Sequence, residues 1–315
     1  MELITSADVA AAEERLAGIT VRTPLVPCEW APGELLVKPE NLQPVGAFKI
    51  RGAANALARL VPERRRSGVI THSSGNHGQA LAYAARAHGV RCVVVVPAGA
   101  PRVKVDAMHR FGAETVEVEP ARRAETARGL ADEQGLTLVP PFDHPDVIAG
   151  QGTVGSEIAA DRPDVEAVLV PVGGGGLAAG VATAVKARCP GAAVIGVEPE
   201  LAADAKESLE SGRLVTWPPE RTGRTVADGV RVGPSELTFA HLRARLDGIV
   251  TVTEEEILAA VGALARSARL VAEPSGAVAT AAYLAGRTPP GRTVAVISGG
   301  NVMPDVLARA VAAEG

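Results

Sequence analysis

The chain has 315 residues, with 32 Lys and Arg against 36 Asp and Glu, a formal net charge of −4. That balance excludes a nucleic-acid binder whose affinity rests on excess basic charge. At 47% hydrophobic and 22% charged residues, wholesale disorder is excluded and a sizeable core can form.

The alternation of secondary structure begins at residue 68. Gly68–Thr71 reads as a strand, Asn76–His88 as a helix, and Val90–Val96 as a strand whose continuous valines fit burial on both faces. Pro101–Phe111 reads as a helix, Glu114–Val118 as a strand, Arg122–Gln134 as a helix and Leu136–Val139 as a strand. This is a compact parallel-sheet unit. After Pro140-Pro141 the pattern resumes with strand Ala167–Val172, loop Gly173–Gly176, helix Leu177–Arg188 and strand Val194–Glu198. Pro218–Pro234 is irregular. Thr253 and Glu256 form a capping box opening the helix Glu254–Ser267. Strand Thr293–Ile297 and helix Met303–Ala312 close the chain. The fold class is α/β, with two doubly wound units and ligands expected at the carboxyl ends of the strands, in the cleft between them. Residues 1–55 and 142–315 make the large domain; residues 56–141 are a small domain inserted in it.

Cys28, Cys92 and Cys189 are odd in number, far apart and without a CxxC pair, so reduced thiols in a cytoplasm are expected. No apolar run spans a bilayer and no signal peptide is visible, so neither a membrane nor a nucleic-acid partner is expected. The chain holds only five lysines, Lys38, Lys49, Lys104, Lys186 and Lys206, so an amine nucleophile has five candidates.

Five stretches carry residue types suited to chemistry. Lys49 is flanked by Phe48 and Ile50, and desolvation there would lower its pKa and favour an amine nucleophile. Ser73-Ser74-Gly75-Asn76-His77-Gly78 joins a strand to a helix and suits a carboxylate, although Ser and Asn also serve as ordinary caps. Gly173-Gly174-Gly175-Gly176 precedes a helix and suits a phosphate. The same run satisfies G-x-G-x-x-A through Gly174, Gly176 and Ala179, and Glu198 ends the next strand, so a nicotinamide-dinucleotide oxidoreductase is a rival reading. Glu198 and Asp204, with the Ala202 carbonyl between, suit a hard cation or else form an exposed acidic helix start. Ser298-Gly299-Gly300-Asn301 places a hydroxyl directly after the last strand.

Taken together, Glu40-Asn41-Leu42-Gln43, Gly46-Ala47-Phe48-Lys49-Ile50-Arg51-Gly52-Ala53, Ser73–Gly78, the glycine run and Ser298–Asn301 resemble the fold type II pyridoxal-phosphate enzymes. The branch they are most similar to is that of serine racemases and threonine/serine dehydratases. The motifs occur in the family's order, over about residues 5–305. The resemblance implies that Lys49 carries the cofactor covalently and that Gly173, Gly174, Gly175 and Gly176 cradle its phosphate. It places Asn76 at the ring hydroxyl and Ser298 at the ring nitrogen. Ser73, Asn76 and His77 match the loop that holds the substrate carboxylate. Glu198, Ala202 and Asp204 match the Mg²⁺ or Ca²⁺ site of serine racemases. Ser74 matches the racemase acid/base on the face opposite the lysine, where many dehydratases carry alanine.

The implied activity is β-elimination from a β-hydroxy amino acid such as L-threonine or L-serine to a 2-keto acid and ammonia. Racemisation of a serine-type amino acid is the alternative, and a non-catalytic amino-acid-binding protein is a third reading. The partner is a small amino-acid substrate, and a homodimer is expected. No segment matches the C-terminal regulatory domain of biosynthetic threonine dehydratases, so its feedback control is not expected. One departure stands out. Serine racemases place a hydroxyl-binding serine near the position of Val232, and valine cannot make that bond.

Overall fold

A computed structural model of the chain describes residues 2–312. The strands are β1 (Val26–Pro27), β2 (Leu35–Pro39), β3 (Val69–Thr71), β4 (Cys92–Pro97), β5 (Glu114–Val118), β6 (Thr137–Leu138), β7 (Ala167–Pro171), β8 (Ala193–Pro199), β9 (Gly248–Val252) and β10 (Thr293–Ile297). The helices are α1 (Ser6–Leu16), α2 (Lys49–Arg59), α3 (Pro62–Ser67), α4 (Asn76–Ala87), α5 (Arg102–Arg110), α6 (Arg123–Gln134), α7 (Pro145–Asp161), α8 (Gly176–Arg188), α9 (Asp204–Ser211), α10 (Pro219–Thr222), α11 (Glu236–Arg245), α12 (Glu254–Ala263), α13 (Pro274–Leu284) and α14 (Pro304–Ala312).

Two sheets form. One has six strands in the order β1-β2-β10-β7-β8-β9, parallel except for the β1–β2 pair. The other has four parallel strands in the order β5-β4-β3-β6. All four strands of the second lie between β2 and β7 in the chain. The valine-rich strands are the interior ones: every residue of β7 and β10 is buried, as are Cys92–Val96 of β4. Edge strand β5 has no buried residue, only half-buried and exposed ones. Alternate residues of the strands enter separate apolar clusters, so both faces of each sheet are covered, as the expected doubly wound α/β fold class requires.

The strand order locates the site. In the larger sheet the chain runs from β7 out to β8 and β9, then returns to β10 on the other side of β7. In the smaller sheet it runs from β3 out to β4 and β5, then returns to β6 on the other side of β3. Each reversal leaves a crevice at the carboxyl ends of adjacent strands, where α/β sheets bind ligands. The loops leaving these ends are the glycine run after β7, Ser298–Asn301 after β10, Ser73–Gly75 after β3 and Val139–Pro141 after β6.

A buried charge cluster anchors the segment that leads from β2 into α2. Arg51 donates to Glu40 (2.7 and 2.9 Å) and to Glu157 (2.7 and 2.9 Å). Lys38 donates to Glu157 at 2.5 Å and to the Thr23 carbonyl at 2.6 Å. Two cations and two carboxylates cancel there, and each has several hydrogen bonds. Removing one partner from such a set costs about 3–5 kcal/mol, because the other charge stays buried. The start of α2, and Lys49 with it, is therefore held from behind.

The sequence-based helix Glu254–Ser267 is α-helical only to Ala263; Leu264–Ala268 form a π turn that ends at Arg269 with φ 58°. The irregular stretch Pro218–Pro234 contains the short α10 and a 3₁₀ turn, Asp228–Val230.

Candidate active site

Lys49 is the first residue of α2. The preceding residues are zipped onto the loop after β10: Ala47 bridges Gly299, Phe48 N donates to Ser298 O at 3.1 Å, and Gly300 N donates to Gly46 O at 2.9 Å. Gly46 has φ +70°, and a Cβ there would lie 2.6 Å from Asn301 Oδ1, so glycine alone fits this approach. Lys49 Nζ reaches the other sheet's loop and donates to the Pro141 carbonyl at 2.7 Å. It lies 5.1 Å from the centre of the Phe48 ring.

The remaining lysines each face a carboxylate: Lys38–Glu157 at 2.5 Å, Lys104–Asp228 at 2.8 Å, Lys186–Asp247 at 2.7 Å and Lys206–Glu210 at 3.9 Å. Among the described residues Lys49 has none. Desolvation is unopposed there and lowers its pKa from 10.5 to about 8. That is the environment an amine nucleophile and base requires.

The glycine run leads from β7 into α8. Gly175 adopts φ +81°. A Cβ at Gly173 would lie 2.7 Å from the Val230 Cα, one at Gly176 3.0 Å from Phe142 Cβ, and one at Gly174 would overlap the Phe142 ring. The loop backbone is thus bare, with the unpaired N–H groups of the first turn of α8 beside it. These features fit a phosphate. Gly174→Ala should therefore lower stability by about 1–3 kcal/mol and weaken phosphate-ligand binding. Gly191→Ala, where a Cβ meets nothing within 4 Å, should do neither. Thermal melts and cofactor titration of both variants check this.

Ser298 is buried after β10, and its hydroxyl donates to Ser275 O at 3.3 Å. In the loop after β3, Ser73 Oγ accepts from Gly75 N at 3.3 Å, whereas the half-buried Ser74 makes no hydrogen bond through its hydroxyl among the described residues. Asn76 opens α4 and donates to Glu273 Oε1 at 2.6 Å. His77 is buried, with Nε2 3.0 Å from the Val139 carbonyl and no partner for Nδ1 among the described residues. Burial, then the charge of Lys49, lowers its pKa to about 3. The imidazole is neutral and turned toward Val139 in the loop after β6, so what His77 offers the loop is its backbone N–H at the start of α4.

Glu273 was not singled out from sequence. Nothing about an acidic residue before a helix-opening proline signals a buried carboxylate 197 positions from its partner. Burial, reinforced by Asp228, raises its pKa to about 7.

Glu198 and Asp204 are not an exposed acidic helix start, since they are 0% and 2% exposed. Glu198 accepts from Ala205 N at 3.1 Å and Lys206 N at 2.8 Å, capping α9. Burial raises its pKa well above the usual range, and the charge of Asp204 adds to this. Among the described residues no group of three or more His, Cys, Asp and Glu could hold a metal ion. The predicted set is two carboxylates and the carbonyl of buried Ala202. With α9 covering Glu198, the dinucleotide reading loses the open acidic residue that it needs for a ribose.

A family model described as "Pyridoxal-phosphate dependent enzyme" matches residues 17–299. The chain belongs to the pyridoxal-phosphate-dependent enzymes. It is 42% identical to an L-threonine ammonia-lyase of Thermotoga maritima, over 98% of this chain and 78% of that relative. Among solved structures, a T.th. threonine deaminase matches with a TM-score of 0.89 and 45% identity, covering 95% of this chain and 99% of that one. Maize serine racemase matches with a TM-score of 0.93 and 32% identity, covering 98% and 97%. This pyridoxal-phosphate-dependent enzyme thus lies in the serine racemase and threonine dehydratase group, and the oxidoreductase reading has no support.

Proposed function

We propose that the protein converts a β-hydroxy amino acid such as L-threonine or L-serine to a 2-keto acid and ammonia. The observation that carries this is the half-buried, desolvated amine of Lys49, with no carboxylate partner among the described residues, where the two crevices meet. In this reading Gly173–Gly176 and the start of α8 hold the cofactor phosphate, Lys49 carries the cofactor, and Ser298 faces its ring nitrogen. A serine hydroxyl is neutral and does not keep that nitrogen protonated as a carboxylate would. Ser73, Asn76 and the N–H groups that open α4, His77 included, hold the substrate carboxylate. When bound, the cofactor supplies the electron sink that makes the substrate Cα proton acidic. Lys49 Nζ, neutral in a useful fraction near its lowered pKa, takes that proton. The β-hydroxyl is protonated as it departs, so water is released, and hydrolysis of the imine tautomer of the resulting enamine gives the keto acid and ammonia.

Racemisation is the second reading, favoured by the Ser74 hydroxyl, which has no partner among the described residues. By the resemblance, serine racemases carry a hydroxyl-binding serine near the position of Val232, and the valine here, 58% exposed, cannot make that bond, which counts against serine as the preferred substrate. The deciding experiment assays a panel of L- and D-amino acids with the holoenzyme for both keto acid and enantiomer. Keto acid from L-threonine in excess over D-threonine or D-serine formation supports the lyase. Neither product from any member of the panel would leave the amino-acid-binding reading standing.

In the same reading, residues 1–55 and 142–315 form the large cofactor-binding domain and residues 56–141 the small domain. Mg²⁺ or Ca²⁺ sits between Glu198, Asp204 and the Ala202 carbonyl, relieving two buried carboxylates of their mutual repulsion. Chelation should then lower the melting temperature and added Mg²⁺ restore it; a melt indifferent to both returns Glu198 to a purely helix-capping role. The enzyme is proposed to be a cytoplasmic homodimer. All three cysteines are buried and unpaired, no helix among the described residues is long and apolar enough to cross a membrane, and the large apolar side chains of Leu42 and Val271 lie exposed on neighbouring segments.

A further inference from the structure

Asn76, Glu273 and Asn301 come from three separate elements: the start of α4, the cap of α13 and the loop after β10. Asn76 Nδ2 donates to Glu273 Oε1 at 2.6 Å. Asn301 Nδ2 donates to Asn76 Oδ1 at 2.8 Å and to the Val45 carbonyl at 2.9 Å. One end of this chain is a backbone carbonyl, which can only accept, and the other is Glu273 Oε1, which accepts from the Asn76 amide nitrogen. The Val45 carbonyl therefore fixes the Asn301 amide, and Glu273 fixes that of Asn76. Were the Asn76 amide reversed, its oxygen would face a carboxylate and its N–H groups would face another N–H, and both bonds would be lost.

A carboxamide nitrogen has two N–H groups. Glu273 takes one of those on Asn76, and the other has no partner among the described residues. Glu273 is itself held in place. It is buried, its backbone N donates to Gly299 O at 3.0 Å, and a Cβ at Gly299 would lie 2.5 Å from its Oε1. The loop after β10 is thus shaped around this carboxylate as well as around Gly46–Phe48, the residues that lead into Lys49.

We infer that Glu273 and Asn301 are positioning residues, which lock the Asn76 carboxamide as a hydrogen-bond donor to the ring oxygen of bound pyridoxal phosphate. The inference rests on the reading of Asn76 as the residue at that oxygen, and it does not depend on which amino acid is the substrate. A donor at that oxygen favours its deprotonated form, so the clamp sets both cofactor affinity and the protonation of the coloured, lysine-linked cofactor.

The test measures the equilibrium affinity of cofactor-stripped protein for pyridoxal phosphate, and the pH titration of the visible absorption, in N76A, E273A, E273Q and N301A. E273A and N301A should lose roughly tenfold in affinity, the scale of one charge-assisted hydrogen bond, and should titrate at higher pH. E273Q keeps an acceptor oxygen in place and should stay within about threefold of the parent. Melting of the stripped proteins reports folding, and if E273A does not fold, N301A removes the other half of the clamp and decides alone. Wild-type affinity and titration in E273A or N301A, beside a clear loss in N76A, overturn the clamp. So does a loss in E273Q as large as in E273A, since that would assign the effect to charge and not to orientation. An N76A protein with unchanged affinity and titration overturns the reading of Asn76 itself, and the clamp with it.

Discussion

Lys49→Ala should abolish the yellow, lysine-linked form of the cofactor and lower turnover by about 10³-fold or more, since in the proposed reading one side chain is both its covalent anchor and the base. Lys49→Arg should be as inactive. A guanidinium keeps the positive charge but cannot lose its proton. Borohydride reduction of the parent holoenzyme followed by peptide mapping should place the cofactor on Lys49. Label on Lys38, Lys104, Lys186 or Lys206 would overturn the assignment. The structure adds a pH signature. An amine with a pKa of about 8 is roughly one-quarter neutral at pH 7.5, against about one-thousandth for an exposed lysine. Cofactor attachment to the stripped protein should therefore climb steeply between about pH 7 and pH 9 and then level off. A rise that continues to pH 10 and beyond would mean that the amine is solvated.

What the sequence made legible, and what it hid, follows from how each element is buried. Interior strand Thr293–Ile297 has the same bounds in sequence and structure, and the strand read as Val90–Val96 is Cys92–Pro97, because interior parallel strands demand continuous apolar, β-branched-rich runs. Edge strand Glu114–Val118, also with the same bounds, is legible instead from the short β-branched run between two helical stretches. Helix α7 was not read at all. Thirteen of its seventeen residues are buried, so it has no polar face to set up a 3.6-residue period. Its glycines also argue against a helix locally, yet they are there for packing. A Cβ at Gly150 would lie 2.5 Å from Arg51 O, and one at Gly155 2.6 Å from Val181 O, because α2 and α8 cross α7 at backbone distance.

Charge misleads in the same way. Lys38, Glu40, Arg51 and Glu157 look like surface residues one at a time, and only the fold reveals that they neutralise one another in the interior. At the site, the loops were visible as strand-to-helix junctions rich in glycine and small polar residues. The partners that orient them were not, since Glu273 and Pro141 meet Asn76 and Lys49 only across the cleft.

Ser74→Ala should separate the two chemistries that this architecture allows. Racemisation needs a proton donor on each face of the planar Cα, and Lys49 serves one face only. The structure leaves the Ser74 hydroxyl without a partner among the described residues, whereas Ser73 beside it is tied to Gly75 N. The free hydroxyl stands close to the start of α4, where the helix dipole stabilises a developing alkoxide by about 1 kcal/mol. That is modest against the high pKa of an aliphatic hydroxyl, so proton delivery from this face should be slower than from Lys49. Elimination from an L-amino acid uses the Lys49 face and a leaving hydroxyl, and does not require Ser74. The variant should therefore lose any interconversion of enantiomers by about 10²-fold or more, the usual weight of a positioned acid or base, while keeping keto-acid formation within about threefold. Chiral chromatography and a keto-acid assay on one sample measure both. Racemisation that survives in Ser74→Ala would mean that another group protonates the second face. Equal loss of both activities would mean that Ser74 holds the substrate and does not move its proton.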